Sequence, residues 1–214
     1  MNNKQILKLI KDNKTIKFKN LVFSVTNSKL TKDNIASFNP PQGHTCPFAG
    51  ECLKFCYAAK GNYRFANVKK KYVQNYEYSL HDNFINIVND SIKALPNVNF
   101  YRIHSSGDFY SVKYIKRWFK IMKLNKDKVF YAYTKSIQLF KHLELPSNFV
   151  LIQSEGTKDD KKYLDKSKPF ARIFNNASEL NEAVTSGEYL DAHTNDLNAV
   201  KAVVLGKNIA LLKH

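Results

Sequence analysis

The sequence predicts an α/β fold: one domain over residues 1–214, forming an open partial (βα)6-like barrel with a cysteine-bearing loop after its first strand. Three observations lead there. Beyond Pro96, short apolar runs alternate with segments of helical periodicity, the pattern of parallel strands joined by crossover helices. No internal repeat and no linker divides the chain. At 214 residues with 43% apolar side chains, it is long enough to bury one hydrophobic core.

Residues 15–26 read as the first strand, with Ile16, Phe18, Val22 and Phe23 as its apolar positions. A polar stretch leads to Asn39-Pro40-Pro41-Gln42-Gly43, a loop signal because two prolines and a glycine interrupt helix and strand alike. Residues 68–94 read as one long helix, since Val73, Tyr76, Leu80, Phe84 and Ile87 recur at three and four residues and make one apolar face. Residues 98–104 are a strand. Ser111 is placed to cap a helix carrying Ile115, Trp118, Phe119 and Met122. Strands follow at 129–133, 149–153 and 170–174, with a short helix at 137–143 and another helix at 178–184. The apolar runs 202–205 and 209–212 close the chain as strand candidates. In α/β folds ligands gather at the carboxyl ends of the strands, which directs attention to the residues there.

The three cysteines, Cys46, Cys52 and Cys56, fall within eleven residues at the end of the proline loop. An odd, clustered set is a poor disulfide framework, and clustered thiols in a reducing compartment more often bind metal. Three thiolates can hold three corners of a [4Fe-4S] cluster and leave the fourth iron open. A loop with Pro47 and Gly50 allows such convergence, and Phe48, Phe55 and Tyr57 can exclude water beside the sulfurs. Two other readings stand beside it: zinc held by the cysteines with His44, and unliganded buried cysteines.

The charge is +16, from 34 Lys and Arg against 18 Asp and Glu. Such a field attracts polyanions, nucleic acid first among them. A lysine-rich genome composition would give the same count. The densest local group, Lys54, Lys60, Arg64, Lys69, Lys70 and Lys71, follows the cysteines directly, and Tyr63-Arg64-Phe65 mixes basic and aromatic groups. No apolar run is long enough to span a bilayer, and residues 1–11 lack a signal-peptide core, so no membrane partner and a cytoplasmic location are expected.

Four motifs carry a resemblance: Asn39-Pro-Pro-Gln-Gly-His-Thr-Cys-Pro, Cys56-Tyr-Ala-Ala-Lys-Gly, Arg102-Ile-His-Ser-Ser-Gly-Asp-Phe-Tyr-Ser and Phe130-Tyr-Ala-Tyr-Thr-Lys-Ser. With them the chain resembles the phage gene-product-eighty-eight family from about Val22 to the C-terminus, which implies a bacteriophage or prophage origin and the host-cell cytoplasm. More distantly it resembles radical S-adenosylmethionine (SAM) enzymes, which hold a four-iron cluster by three cysteines after the first strand of a partial barrel. Phe55 matches their aromatic residue before the third cysteine, but the spacing here is Cys-x5-Cys-x3-Cys rather than the common Cys-x3-Cys-x2-Cys. The resemblance implies SAM as a cofactor.

On that reading Ser106, Gly107 and Asp108, closing the second strand, would receive the methionine amino group; a plain turn is the competing account. His104 is a candidate proton donor or iron ligand, or a core histidine. Lys135 beside Thr134 ends the third strand, Gln153, Ser154 and Glu155 the fourth, Asn175 and Asn176 the fifth. By position these are candidates for ribose and substrate contacts. Catalytic candidates are thus His104, Asp108 and Lys135. A non-catalytic iron–sulfur or zinc protein that binds nucleic acid is the alternative function.

Overall fold

The computed structural model describes residues 22–25, 30 and 33–213. Its strands are β1 (Phe23–Ser24), β2 (Ile35–Phe38), β3 (Phe100–Ile103), β4 (Val129–Thr134), β5 (Phe149–Ser154), β6 (Phe170–Phe174), β7 (Tyr189–Asp191) and β8 (Asn208–Leu212). The α-helices are α1 (Ala66–Leu80), α2 (Phe84–Lys93), α3 (Val112–Leu124), α4 (Asp160–Tyr163), α5 (Ala177–Thr185) and α6 (Leu197–Val204). All eight strands form one sheet in the order β1-β2-β3-β4-β5-β6-β8-β7. Only β1 runs antiparallel to its neighbour; the other pairings are parallel. The α/β expectation holds at this level.

From β2 to β6 the strands lie in sequence order, so right-handed crossovers put their helices on one face. That face carries Phe38, Tyr101, Ile103 and Phe130, packed against Phe84 and Val88 of α2 and Ile115, Trp118 and Met122 of α3. The last unit reverses direction, because β8 lies between β6 and β7. The same handedness then sends α6 to the opposite face. There Ala199 and Ala202 pack with Ile35, Tyr131, Ile152, Ala171 and Ile209, the alternate positions of the strands.

Several expected elements differ. The expected first strand is seen at β1; its positions Ile16 and Phe18 lie outside the described residues. β2 was expected as polar coil, and the cysteine segment follows it rather than the first strand. Ile-Ala-Ser-Phe gives little strand signal, yet all four positions are buried. The single helix expected at 68–94 is two, broken at 81–83. His81-Asp82-Asn83 are poor helix formers, and Arg117 donates to the carbonyls of Ser79 and His81 at 2.9 and 3.1 Å, satisfying the end of α1. The buried side of α1 is Tyr72, Asn75 and Ser79, while Val73 and Leu80 are exposed. The run 202–205, expected as a strand, belongs largely to α6, which ends where Gly206 takes a φ of 66°. β7 was not anticipated; three residues carry too short a pattern.

Candidate functional site

Residues 39–65 form the cysteine segment, a run of turns and 3-10 helices (Glu51–Phe55, Tyr57–Ala59 and Gly61–Arg64). It is clamped to the carboxyl ends of the strands at several points. The Asn39 side chain accepts from the backbone N–H of Ser105 at 2.7 Å and of Ser106 at 3.3 Å. Asn75 of α1 donates to the Asn39 carbonyl at 3.1 Å. The Asp108 N–H donates to the Thr45 carbonyl at 3.2 Å, and the Tyr57 hydroxyl donates to the Ser105 carbonyl. Gly107, at φ 77°, lets these segments touch: a Cβ there would stand 2.4 Å from Thr45 Oγ1 and 2.5 Å from Pro40 Cγ. On the other side Ala49 bridges Thr157, and a Cβ on Gly50 would meet the Gly156 carbonyl at 2.9 Å.

This clamping borders an open cavity of about 150 Å³. Cys46, Cys52 and Cys56 line it, with His104, Ser105, Ser106, Gly107 and Asp108 after β3, Thr134 and Lys135 at the end of β4, and Ser154 at the end of β5. The cysteines are half-buried and form no disulfide. Burial pushes the Cys46 thiol up to about 12, with the nearby Asp108 adding to it, and burial also raises the Cys52 thiol, against the pull of Lys135. As free thiols Cys46 and Cys52 hold their protons; a bound metal would displace them. Among the described residues no three His, Cys, Asp or Glu side chains make a group suited to a metal ion. The His44 ring lies instead against Tyr76, centroids 4.9 Å apart. The three cysteines line one cavity.

The other candidates separate into two sets. Asp108 accepts from Thr134 Oγ1 at 2.6 Å, Lys135 N–H at 2.8 Å and Phe109 N–H at 2.7 Å, so most of its capacity holds the two strand ends together. Lys135 Nζ lies between Ser154 Oγ at 3.2 Å and the Glu155 carbonyl. Burial lowers the Lys135 pKa and raises that of Asp108. His104 has a left-handed backbone, φ 71°, held by its N–H on the Phe38 carbonyl at 2.8 Å. Its Nε2 meets the Tyr114 hydroxyl at 2.9 Å, and burial, with Arg102 adding, lowers its pKa to about 3. It is a neutral imidazole.

Gln153 and Asn175 stand apart from the cavity. The Gln153 amide is exchanged with the Asp165 backbone at 3.1 and 2.9 Å. The Asn175 N–H donates to Glu179, and Asn176 caps α5. The Glu155 carboxylate is spent on Arg172, in two hydrogen bonds of 2.7 and 2.8 Å.

Sequence reasoning passed over Asn39, Arg102 and Tyr133, although all three lie in the quoted motifs, and it read Tyr57 only as a ring excluding water beside the sulfurs. Arg102 is the signal that was available: a charged residue inside an apolar strand. It pairs with Asp196 at 2.8 Å and lies 4.8 Å from the Tyr133 ring centroid. Burial opposes its charge, but Asp196 together with Tyr57, Tyr133 and Tyr131 outweighs that and raises its pKa. Five lining residues carry a buried polar atom with no hydrogen-bond partner among the described residues: Arg102 Nε, His104 Nδ1, Ser105 Oγ, Ser106 Oγ and the Tyr133 hydroxyl. Buried polar groups are ordinarily satisfied, so such a concentration marks a place built for a ligand.

These residues lie within a sequence match to the Gene product 88 family that runs over residues 7–211. The chain belongs to the Gene product 88 family. Two curated relatives are bacteriophage proteins. The Gene 88 protein of Mycobacterium phage L5 is 28% identical over 127 residues, covering 51% of this chain and 52% of the relative. The Gene 88 protein of Mycobacterium phage D29 is 30% identical over 125 residues, covering 51% of each. The Gene product 88 chain thus spans about half the length of the curated relatives it matches. No solved structure matches it. No helix among its described residues is long and apolar enough to cross a membrane.

Proposed function

We propose that this protein is an iron–sulfur enzyme of phage or prophage origin acting in the host cytoplasm. In this reading Cys46, Cys52 and Cys56 hold a [4Fe-4S] cluster with one iron free of protein thiolate. The observation that carries it is the cavity itself: three half-buried thiols and five unsatisfied polar atoms border about 150 Å³. Organic-ligand pockets run to roughly 300–1,000 Å³, so this one suits a compact inorganic group. The sequential strand order from β2 to β6, with the site at the strand carboxyl ends, supports an open partial barrel.

The reaction class proposed is radical SAM chemistry. Held by Cys46, Cys52 and Cys56, a reduced four-iron cluster would supply one electron to the sulfonium of SAM, whose carbon–sulfur bond would break to methionine and a 5′-deoxyadenosyl radical that takes a hydrogen atom from a substrate to give 5′-deoxyadenosine. The residues of this chain do the rest. The hydroxyls of Ser105, Ser106 and Tyr133 are donors suited to a carboxylate. Asp108 keeps the β3 and β4 ends in register, so those donors stay aimed at one space. Lys135 brings positive charge to the Cys52 side, favouring the thiolate. His104, buried and neutral, offers Nδ1 as a hydrogen-bonding or ligating atom. The aromatic Phe109 and Tyr114 pack on its ring and exclude water.

Calorimetry with SAM on anaerobically loaded protein tests this, followed by dithionite reduction and assay for 5′-deoxyadenosine. Saturable binding with release of that nucleoside is the expected result. No binding by a fully loaded protein would leave the second reading, a non-catalytic iron–sulfur or zinc protein that binds nucleic acid. The observation favouring that reading is the exposed basic group Lys60, Arg64, Lys69 and Lys70 just beyond the cysteines.

A further inference from the structure

A second, wider cavity of about 510 Å³ adjoins the cysteine cavity. Arg102, Tyr57, Ser105, Ile173 and Leu211 line both, so the two share a wall. The wider one lies within the size range of organic-ligand sites. Its lining is of three kinds. Ile173 and Leu211 give apolar surface. Tyr63 gives an aromatic ring, steadied edge-on by Tyr57 with centroids 5.6 Å apart. Lys60, Arg102 and the His193 imidazole give basic groups, against one carboxylate, Asp196. That carboxylate is already engaged by Arg102 at 2.8 Å and by the Tyr131 hydroxyl. The cavity therefore carries a positive excess, and Arg102 keeps Nε–H unspent beside it.

A flat ring system with an anionic end fits such a lining: the ring against Tyr63 and the aliphatic surface, the anion toward Lys60 and Arg102. We propose that the wide cavity binds a nucleoside phosphate, either free or as the terminal unit of a single strand. The base stacks on Tyr63, as aromatic platforms hold bases without regard to sequence. The phosphate takes charge-assisted hydrogen bonds. The positive excess favours an anion in this cavity. As the substrate of the enzyme proposed above the assignment rests on that reading; as a binding site it stands without it.

The test is calorimetry on the full chain with four probes: AMP, adenosine, inorganic phosphate, and a short oligothymidylate carrying a 5′-phosphate. AMP or the phosphorylated strand should saturate one site, with adenosine and phosphate each at least about tenfold weaker. A free nucleotide as the occupant gives tighter AMP; a strand end gives the tighter oligonucleotide. Tyr63→Ala and Lys60→Ala should each weaken the better probe about tenfold, with thermal unfolding and the cysteine thiol count unchanged. Lys60 is exposed, so its variant separates binding from folding. No saturation by either phosphorylated probe, or affinity in both variants unchanged from the parent protein, overturns the proposal. Nucleotide binding by a protein that takes up no iron would sink the enzyme reading alone. Cluster and SAM cleavage without nucleotide binding would sink this one alone.

Discussion

His104 was open to three readings in the sequence: proton donor, iron ligand or core histidine. A histidine closing a strand beside cysteines invites an acid–base role, but its ring is buried between Phe109 and Tyr114 and stays neutral to about pH 3. An unfolded histidine takes up its proton near pH 6.5. Between those values only the unfolded chain binds that proton, so the folded state loses stability as pH falls and is unaffected above about pH 7. Denaturant titrations from about pH 7 to pH 4 should therefore give a shallower loss for His104→Gln, by about 1.4 kcal/mol per pH unit. Parallel curves would remove the buried neutral imidazole. Gly107 was read as a place for a ligand to approach the backbone. In the structure its freedom also serves the close approach of Pro40 and Thr45, and Gly107→Ala should cost about 2 kcal/mol or more in denaturant unfolding. The cysteines were legible because three thiols in eleven residues have few other uses. Asn39 and Tyr57 were not, because their partners are backbone atoms of residues 105 and 106. Gln153 and Asn175 sit near strand ends in the sequence, but their bonds turn toward Asp165 and Glu179.

Among the elements, α3 and the strands from β3 to β6 follow their sequence patterns closely, since each has a full apolar stripe or run. β2 and α6 do not, and both depend on long-range partners. β2 is buried by β1, β3 and the cores on both faces. The α6 helix is anchored by Asp196 at its start, which holds Arg102 of β3 and the Tyr131 hydroxyl of β4. Removing one partner of such a pair leaves a buried charge alone. Asp196→Ala should accordingly destabilise the fold by about 3–5 kcal/mol, read by denaturant unfolding, while a double Arg102→Met, Asp196→Leu variant should recover part of the loss. A loss below about 1 kcal/mol would mean that the pair behaves as a solvated one.

At the scale of the whole molecule, the fold brings the segments following β2, β3 and β4, the end of β5, and Ile173 and Leu211 of β6 and β8 to one cavity, and a basic surface continues from it. The net charge was legible; which lysines remain on the surface was not. Lys71 turns inward to the Phe23 carbonyl at 2.6 Å, with its pKa lowered to about 8 by burial, and Lys54 pairs with Glu51 at 2.7 Å. Lys60, Arg64, Lys69 and Lys70 stay exposed. Binding to single-stranded nucleic acid should therefore be weak and should fall with salt, with a log–log slope near −3 if about four phosphates are neutralised. A flat salt response in filter binding would count against it. The central claim is the proposed cluster on three cysteines. The most direct measurement is iron and acid-labile sulfide per chain after anaerobic preparation, beside the Cys52→Ala variant. The account predicts about four of each with a brown chromophore, lost in the variant. Stoichiometric zinc in a colourless, fully folded protein would contradict it.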